Sequence, residues 1–300
     1  VKPFLENEMS DESRTQITEL LESLWGNMLK DISVDRNLDS NALNAIADTL
    51  GARNPELAVA NGLIDGAIYY DAYEAQLRDK LGLDADKEIN YVEFGDYVSV
   101  AKRRSLQKGT DKIAVIYAQG EILYGEGDKE FIGQELINKS LKKACDNDKV
   151  KAIVLRIDSP GGNALTADII WREVKRAKEK KPVVVSFGNY AASGGYYIGV
   201  AGDKIYAEPT TITGSIGVFG TIPNVHKLAT DWGINAEQVG TNEQSVDYSV
   251  FEPMTDSFRN VVKESIENTY DTFISRVAEG RDMTPEAVDE IAQGRVWSGA

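Results

Sequence analysis

Three short runs rich in β-branched residues constrain this chain more than any other feature: Ile113-Ala114-Val115-Ile116-Tyr117-Ala118, Ala152-Ile153-Val154-Leu155-Arg156-Ile157 and Val183-Val184-Val185-Ser186-Phe187. Each is nearly continuous in apolar character, which predicts strands buried on both faces. Helical stretches of about a dozen residues lie between them. Ala164 to Lys180 alternates apolar and charged positions at helical spacing, so residues 152–187 read as a βαβ unit with a parallel sheet. Lys204-Ile205-Tyr206-Ala207 adds a further short strand, and the predicted class is α/β.

Sliding the chain against itself by 245 residues pairs residues 9–48 with 254–293 without a gap, with nine identities. The pairs Ile17/Val262, Leu21/Ile266, Trp25/Tyr270, Met28/Phe273 and Ile32/Val277 are spaced 4, 4, 3 and 4, which is one face of a helix. Both copies therefore hold the same long amphipathic helix. The pattern implies a parent of two tandem repeats, of which this chain is an excerpt cut at both ends. The expected organisation is a helical C-terminal part of the first repeat over 1–83, a polar linker over 84–110, and a second repeat over 111–300, truncated at its end.

Acidic residues outnumber basic ones by 15, so an anionic nucleic-acid backbone would be repelled rather than steered in. A single cysteine, Cys145, excludes an internal disulfide and a cysteine-based zinc cluster. No apolar run approaches the ~20 residues that a membrane-spanning helix requires.

Ligand sites of parallel sheets lie at the carboxyl ends of strands, and two segments there carry chemistry. Asp158-Ser159-Pro160-Gly161-Gly162 reads either as a plain β-to-α turn or as a loop whose backbone N–H groups approach a ligand. No G-x-G-x-x-G pattern is present there, and no cofactor or metal is expected. Gly188-Asn189-Tyr190-Ala191-Ala192-Ser193-Gly194-Gly195 surrounds one serine with small residues, as a sharp strand-to-helix turn with an exposed hydroxyl requires. Ser193 is the candidate nucleophile, and a packing contact is the alternative reading. The only histidine, His226, begins an amphipathic helix and reads as a solvated side chain; no lysine stands out as a base.

Taken together, Lys151-Ala-Ile-Val-Leu-Arg-Ile-Asp-Ser-Pro-Gly-Gly162, Lys181-Pro-Val-Val-Val-Ser186, Ala191-Ala-Ser-Gly-Gly-Tyr196, Thr213-Gly-Ser-Ile-Gly217 and Ile291-Ala-Gln-Gly-Arg-Val-Trp297 resemble the bacterial signal peptide peptidase A family of the long, tandem-repeat type. The resemblance implies a ClpP/crotonase-like fold and a Ser-Lys dyad protease that clears cleaved signal peptides. It implies Ser193 as nucleophile, the N–H groups of Gly194 and Gly162 (Gly161 as second choice) as oxyanion hole, and Ser215 as the hydroxyl that orients the lysine. Gly161, Gly162 and Asn163 would bind substrate. It further implies cleaved signal peptides and other hydrophobic peptides as partners, a homotetramer, and an anchor upstream of the excerpt that holds an extracytoplasmic active site at the inner membrane.

One departure matters. Glu243 occupies the slot where single-repeat relatives carry the lysine, and the long type takes that lysine from the first repeat. By the 245-residue offset it would fall just upstream of Val1, with Lys2 out of register, so the chain alone is expected to be inactive. The alternatives weighed against a peptidase are a crotonase-type acyl-CoA enzyme and a non-catalytic scaffold.

Overall fold

A computed structural model describes residues 8–105 (backbone alone from 101), 109–242 and 248–300. The chain forms two compact units. One is Leu24–Thr110; the other joins the chain up to Ser23 with Asp111–Ala300.

The first of these units is helical. The second half of α1 (Asp11–Arg36) is followed by α2 (Ser40–Asp48), α3 (Pro55–Ala60), α4 (Tyr70–Leu81) and α5 (Phe94–Ser105). Asp39 and Asn54 cap α2 and α3 by accepting from the N–H groups of Asn41 and Leu57, and Gly82 closes α4 in the left-handed conformation. The stretch expected as a linker thus carries α5, in which Phe94, Tyr97 and Val98 recur at helical spacing among polar residues.

The other unit runs β1 (Lys112–Gln119), β2 (Glu121–Ile122), β3 (Phe131–Ile132), α6 (Gln134–Cys145), β4 (Val150–Ser159), α7 (Ala164–Lys178), β5 (Val183–Ala192), α8 (Gly194–Gly199), β6 (Lys204–Tyr206), β7 (Ile212–Gly214), α9 (His226–Asp231), α10 (Asp256–Arg281), α11 (Pro285–Ile291) and β8 (Val296–Ser298). The main sheet has the order β1-β4-β5-β7-β8, with β6 also on β5. It is parallel except for the antiparallel β7/β8 pair. The strands outrun the β-branched runs: β5 continues through Ala192, because after a register shift Ala191 pairs with Ser159 and then with Thr213 of β7.

Ile153, Leu155, Ile157, Val183 and Val185 are wholly buried, while Ile113, Val115 and Tyr117 of β1 are exposed. The sheet is therefore covered well on one face, not on both as the apolar runs suggest. The reason is topological: α6, α7 and α8 pack on the sheet, and α10 contacts α8 rather than crossing to the opposite side. Helix α10 is fastened there by a polar cluster. Asp168 Oδ1 accepts from the Tyr197 hydroxyl (2.6 Å) and from Arg276 Nε (3.2 Å), and the Arg276 guanidinium lies 3.9 Å from the centre of the Trp171 ring. The rings of Tyr197 and Phe273 pack at 4.7 Å.

The 245-residue repeat is visible as geometry. Helices α1 and α10 both have 26 residues and begin and end at equivalent positions. Each ends on a left-handed residue, Asn37 (φ 51°) or Asp282 (φ 54°). In each the next N–H, Leu38 or Met283, returns to the carbonyl five residues earlier, on Ser33 or Ala278.

Candidate active site

The strand ends place the expected residues around one cleft of about 920 Å³, which Gly161, Gly162, Asn163, Ser193, Gly194 and Ser215 all line. Ser193 sits between β5 and α8 at φ 51°, ψ −122°. That backbone is costly for a residue with a side chain and persists only where surroundings over-determine it. Here the Ser193 N–H donates to the Gly214 carbonyl (2.9 Å) and its carbonyl accepts from Tyr197 N–H (2.9 Å), so the turn is held at both ends. The Ser193 hydroxyl has no hydrogen-bond partner among the described residues.

The glycine loop is shaped by a strand some forty residues earlier in the chain. Ile122 of β2 donates to the Gly161 carbonyl (2.8 Å) and accepts from Asn163 N–H (2.7 Å), a parallel bridge centred on Gly162. In such a bridge the central residue's own N–H points away from its partner. The Gly161 N–H is occupied, donating to Ser159 Oγ at 3.2 Å. Among the described residues the N–H groups of Gly162 and Gly194 have no acceptor, the latter because it opens α8. The two lie together: a Cβ on Gly194 would fall 3.4 Å from the Gly162 nitrogen. Both loop glycines are sterically required. A Cβ on Gly162 would sit 2.1 Å from the Ile122 oxygen, and one on Gly161 2.7 Å from the Gly194 nitrogen.

Ser215, at φ 48°, donates its N–H to the Arg295 carbonyl (2.6 Å), and Gly294 N–H returns to Ile216 (2.9 Å). Thus Thr213-Gly-Ser-Ile-Gly217 and Gln293-Gly-Arg-Val-Trp297, far apart in sequence, pair with each other and hold one wall of the cleft. Asn163 has a structural task as well, its side chain capping α7 by accepting from Thr166 N–H (2.9 Å).

These observations agree with the outcome of comparison with known proteins. The chain matches the model of peptidase family S49 over residues 1–84 and 175–300. The chain belongs to peptidase family S49. It is 35% identical to Protease 4 of Haemophilus influenzae over 309 residues, covering 100% of this chain and 50% of that protein. Serine protease SPPA, chloroplastic, of Arabidopsis thaliana is 33% identical, with 97% of this chain and 44% of that protein covered. The Enterococcus faecium putative signal peptide peptidase SppA is 31% identical over 70% of this chain and 63% of its own length. The chain spans about half the length of the first two. A ClpP1 mutant from Listeria monocytogenes is a structural neighbour at TM-score 0.39 and 16% identity, covering 61% of this chain and 82% of that one.

Within this S49 chain, no lysine or histidine lines the cleft among the described residues; its one charged side chain is Glu121. His226 lies on α9, its Nδ1 2.7 Å from the Phe251 oxygen, and is not part of the cleft. Lys2 and Glu243 lie outside the described residues. No helix among the described residues is long and apolar enough to cross a membrane.

Sequence reading missed the apolar wall. Tyr197, Phe219, Tyr270 and Phe273 line the cleft. Tyr270 and Phe273 were visible as members of the repeated helical face but carry no sign that this face borders a site. Burial, and the Asp289 carboxylate to which it donates at 2.5 Å, push the Tyr270 hydroxyl up to about 12. Burial likewise raises Tyr197, reinforced by Asp168. Both rings therefore stay neutral in the cleft wall at ordinary pH.

Proposed function

We propose that this chain carries the nucleophile-bearing repeat of a serine endopeptidase of the Ser-Lys dyad type, which degrades cleaved signal peptides at the bacterial cytoplasmic membrane with its active site extracytoplasmic. The observation that carries this reading is the strained Ser193, its hydroxyl open to a cleft beside the unused N–H groups of Gly162 and Gly194. Ser193 Oγ attacks the peptide carbonyl and passes its proton to a neutral lysine. The carbonyl oxygen, now negative, accepts from the two glycine N–H groups. The lysine then protonates the leaving amine, and a water activated by the same lysine releases the acyl group.

The lysine comes from the stretch that leads into the first copy of the repeated helix, with Ser215 orienting it. Support comes from the duplicated helix geometry, from a family match in two separate stretches, and from relatives about twice as long. Substrate lies extended along the Gly161–Asn163 loop, hydrogen-bonding through its main chain, while the aromatic and alanine wall takes apolar side chains. That chemistry suits cleaved signal peptides. Assembly into a homotetramer and an anchor elsewhere in the parent complete the reading.

The test is hydrolysis of a hydrophobic signal-peptide-like substrate by the full parent, by its Ser193→Ala variant and by this 300-residue chain. Turnover by the parent, a loss of about 10³-fold or more in Ser193→Ala, and none in the chain alone are expected. Undiminished turnover in Ser193→Ala would remove the nucleophile and with it the peptidase mechanism.

A further inference from the structure

Ser159, the last residue of β4, is wholly buried and does not line the cleft, yet it touches both segments that carry the open N–H groups. Its Oγ accepts from the Gly161 N–H at 3.2 Å. Its backbone pairs with Ala191, two residues before Ser193, and lies against the start of α8. There a Cβ on Gly195 would fall 2.7 Å from the Ser159 carbonyl oxygen and 3.2 Å from the Ser159 Cβ.

Three consecutive peptide planes make up the glycine loop. The Gly161 carbonyl and the Gly162 N–H share one trans plane and point in opposite directions. By holding that carbonyl at 2.8 Å, the Ile122 N–H therefore aims the Gly162 N–H at the cleft. The plane after it is held by the Ile122 carbonyl, which accepts from Asn163 N–H at 2.7 Å. The plane before it is held through the Gly161 N–H, and there the partner is a side chain, the Ser159 hydroxyl. Neither glycine restrains itself: at φ 104° and 147°, without a Cβ, each has alternative conformations of similar energy. Without Ser159 Oγ the Gly161 N–H would be a buried donor with no acceptor. The cleft, which Gly161 itself lines, is where it could be satisfied, and turning that way displaces the adjoining plane and the Gly162 N–H with it.

We propose that Ser159 is a positioning residue of the peptidase: its hydroxyl occupies the Gly161 N–H and so fixes the Gly162 N–H as the donor that, with Gly194, receives the oxyanion. This assignment rests on the peptidase reading. Ser159→Ala removes the acceptor and little else. In the full parent, with circular dichroism confirming the fold, kcat is expected to fall about 10²-fold while KM stays within about twofold, because a donor to the transition state contributes little to ground-state binding. A peptide aldehyde, whose hemiacetal oxygen occupies the same place, should bind more weakly by the same factor. Amide exchange in the 300-residue chain supplies a readout independent of turnover. Gly161 and Ile122 should exchange about tenfold faster in Ser159→Ala, while the Ser193 and Leu123 amides, bonded to Gly214 and Ile132, keep their protection. Faster exchange at all four would mark a general loosening and overturn the proposal. A kcat unchanged by Ser159→Ala, where Ser193→Ala is inactive, would overturn it too and leave the peptidase reading standing. Turnover that survives Ser193→Ala would remove that reading, and this assignment with it, whatever the exchange pattern.

Discussion

The helical corner occurs twice in this molecule, and its two copies share a skeleton while differing in what surrounds it. In each, a 26-residue helix ends in a left-handed residue and a capped second helix follows, by Asp39 into α2 and by Thr284 into α11. Each corner is buttoned by equivalent buried residues, Leu29 and Leu43 in one, Ile274 and Val288 in the other. Even the hydrogen bond between the two helices is repeated: Trp25 Nε1 donates to Asn44 Oδ1 (2.7 Å), and the Tyr270 hydroxyl to Asp289 Oδ1 (2.5 Å). Beyond the corner the copies part. Phe273 is 3% exposed and belongs to the core, whereas its counterpart Met28 is 49% exposed. The corner is thus a locally determined motif, and the burial it achieves depends on the layer it meets.

The largest effect that would sharpen this contrast is in the core. Phe273→Ala should cost about 3–5 kcal/mol, whereas Met28→Ala should cost about 1 kcal/mol or less. Urea unfolding followed by circular dichroism would measure both, and equal costs would break the comparison. The buttoning hydrogen bonds come next. Asp289→Ala removes a charge-assisted, partly buried acceptor and should cost about 2 kcal/mol, against about 0.5 kcal/mol for Asn44→Ala at its exposed site. The same unfolding curves test that ratio.

The smallest effect is in pH. Tyr270 is raised in the folded state to about 12 from an ordinary value of 10, so its contribution is intact below pH ~10 and is lost as pH rises through 12. Trp25 does not titrate, so only the second corner should weaken in that window. The difference between the wild-type chain and Tyr270→Phe in absorbance at 295 nm should show one tyrosine ionising near the upper limit; ionisation near 10 would contradict the geometry.

Much of this was legible without coordinates, for identifiable reasons. Strand runs and helix faces are local periodicities, so a linear reading captures them, whereas the caps Asp39, Asn54 and Thr284 act within three residues yet emerge only from the structure. The small residues on both sides of Ser193 likewise mark a constrained turn. Two further features escaped. The sheet is covered well on one face and less on the other, although Val115 and Tyr117 belong to the same β-branched and aromatic run as Ile116, because residue type does not say which side the crossover helices take. The stretch over 84–110 reads as polar, and the apolar face of α5 within it is short enough to be overlooked.

The sequence by itself determined the α/β class, the duplicated corner and the place of the serine turn, since each shows as a local pattern of residue types. Only the tertiary structure decided which backbone N–H groups are open beside that serine. Gly161 and Gly162 are adjacent and chemically identical, yet Ser159 Oγ takes the first N–H, and the bridge to Ile122 turns the second toward the cleft. Likewise only β7 meeting β8 brings Ser215 and Gly294 into one wall. The Ser159–Gly161 bond is local, but the Ile122 bridge and the β7/β8 pairing join strands far apart in the chain, and no local pattern contains them.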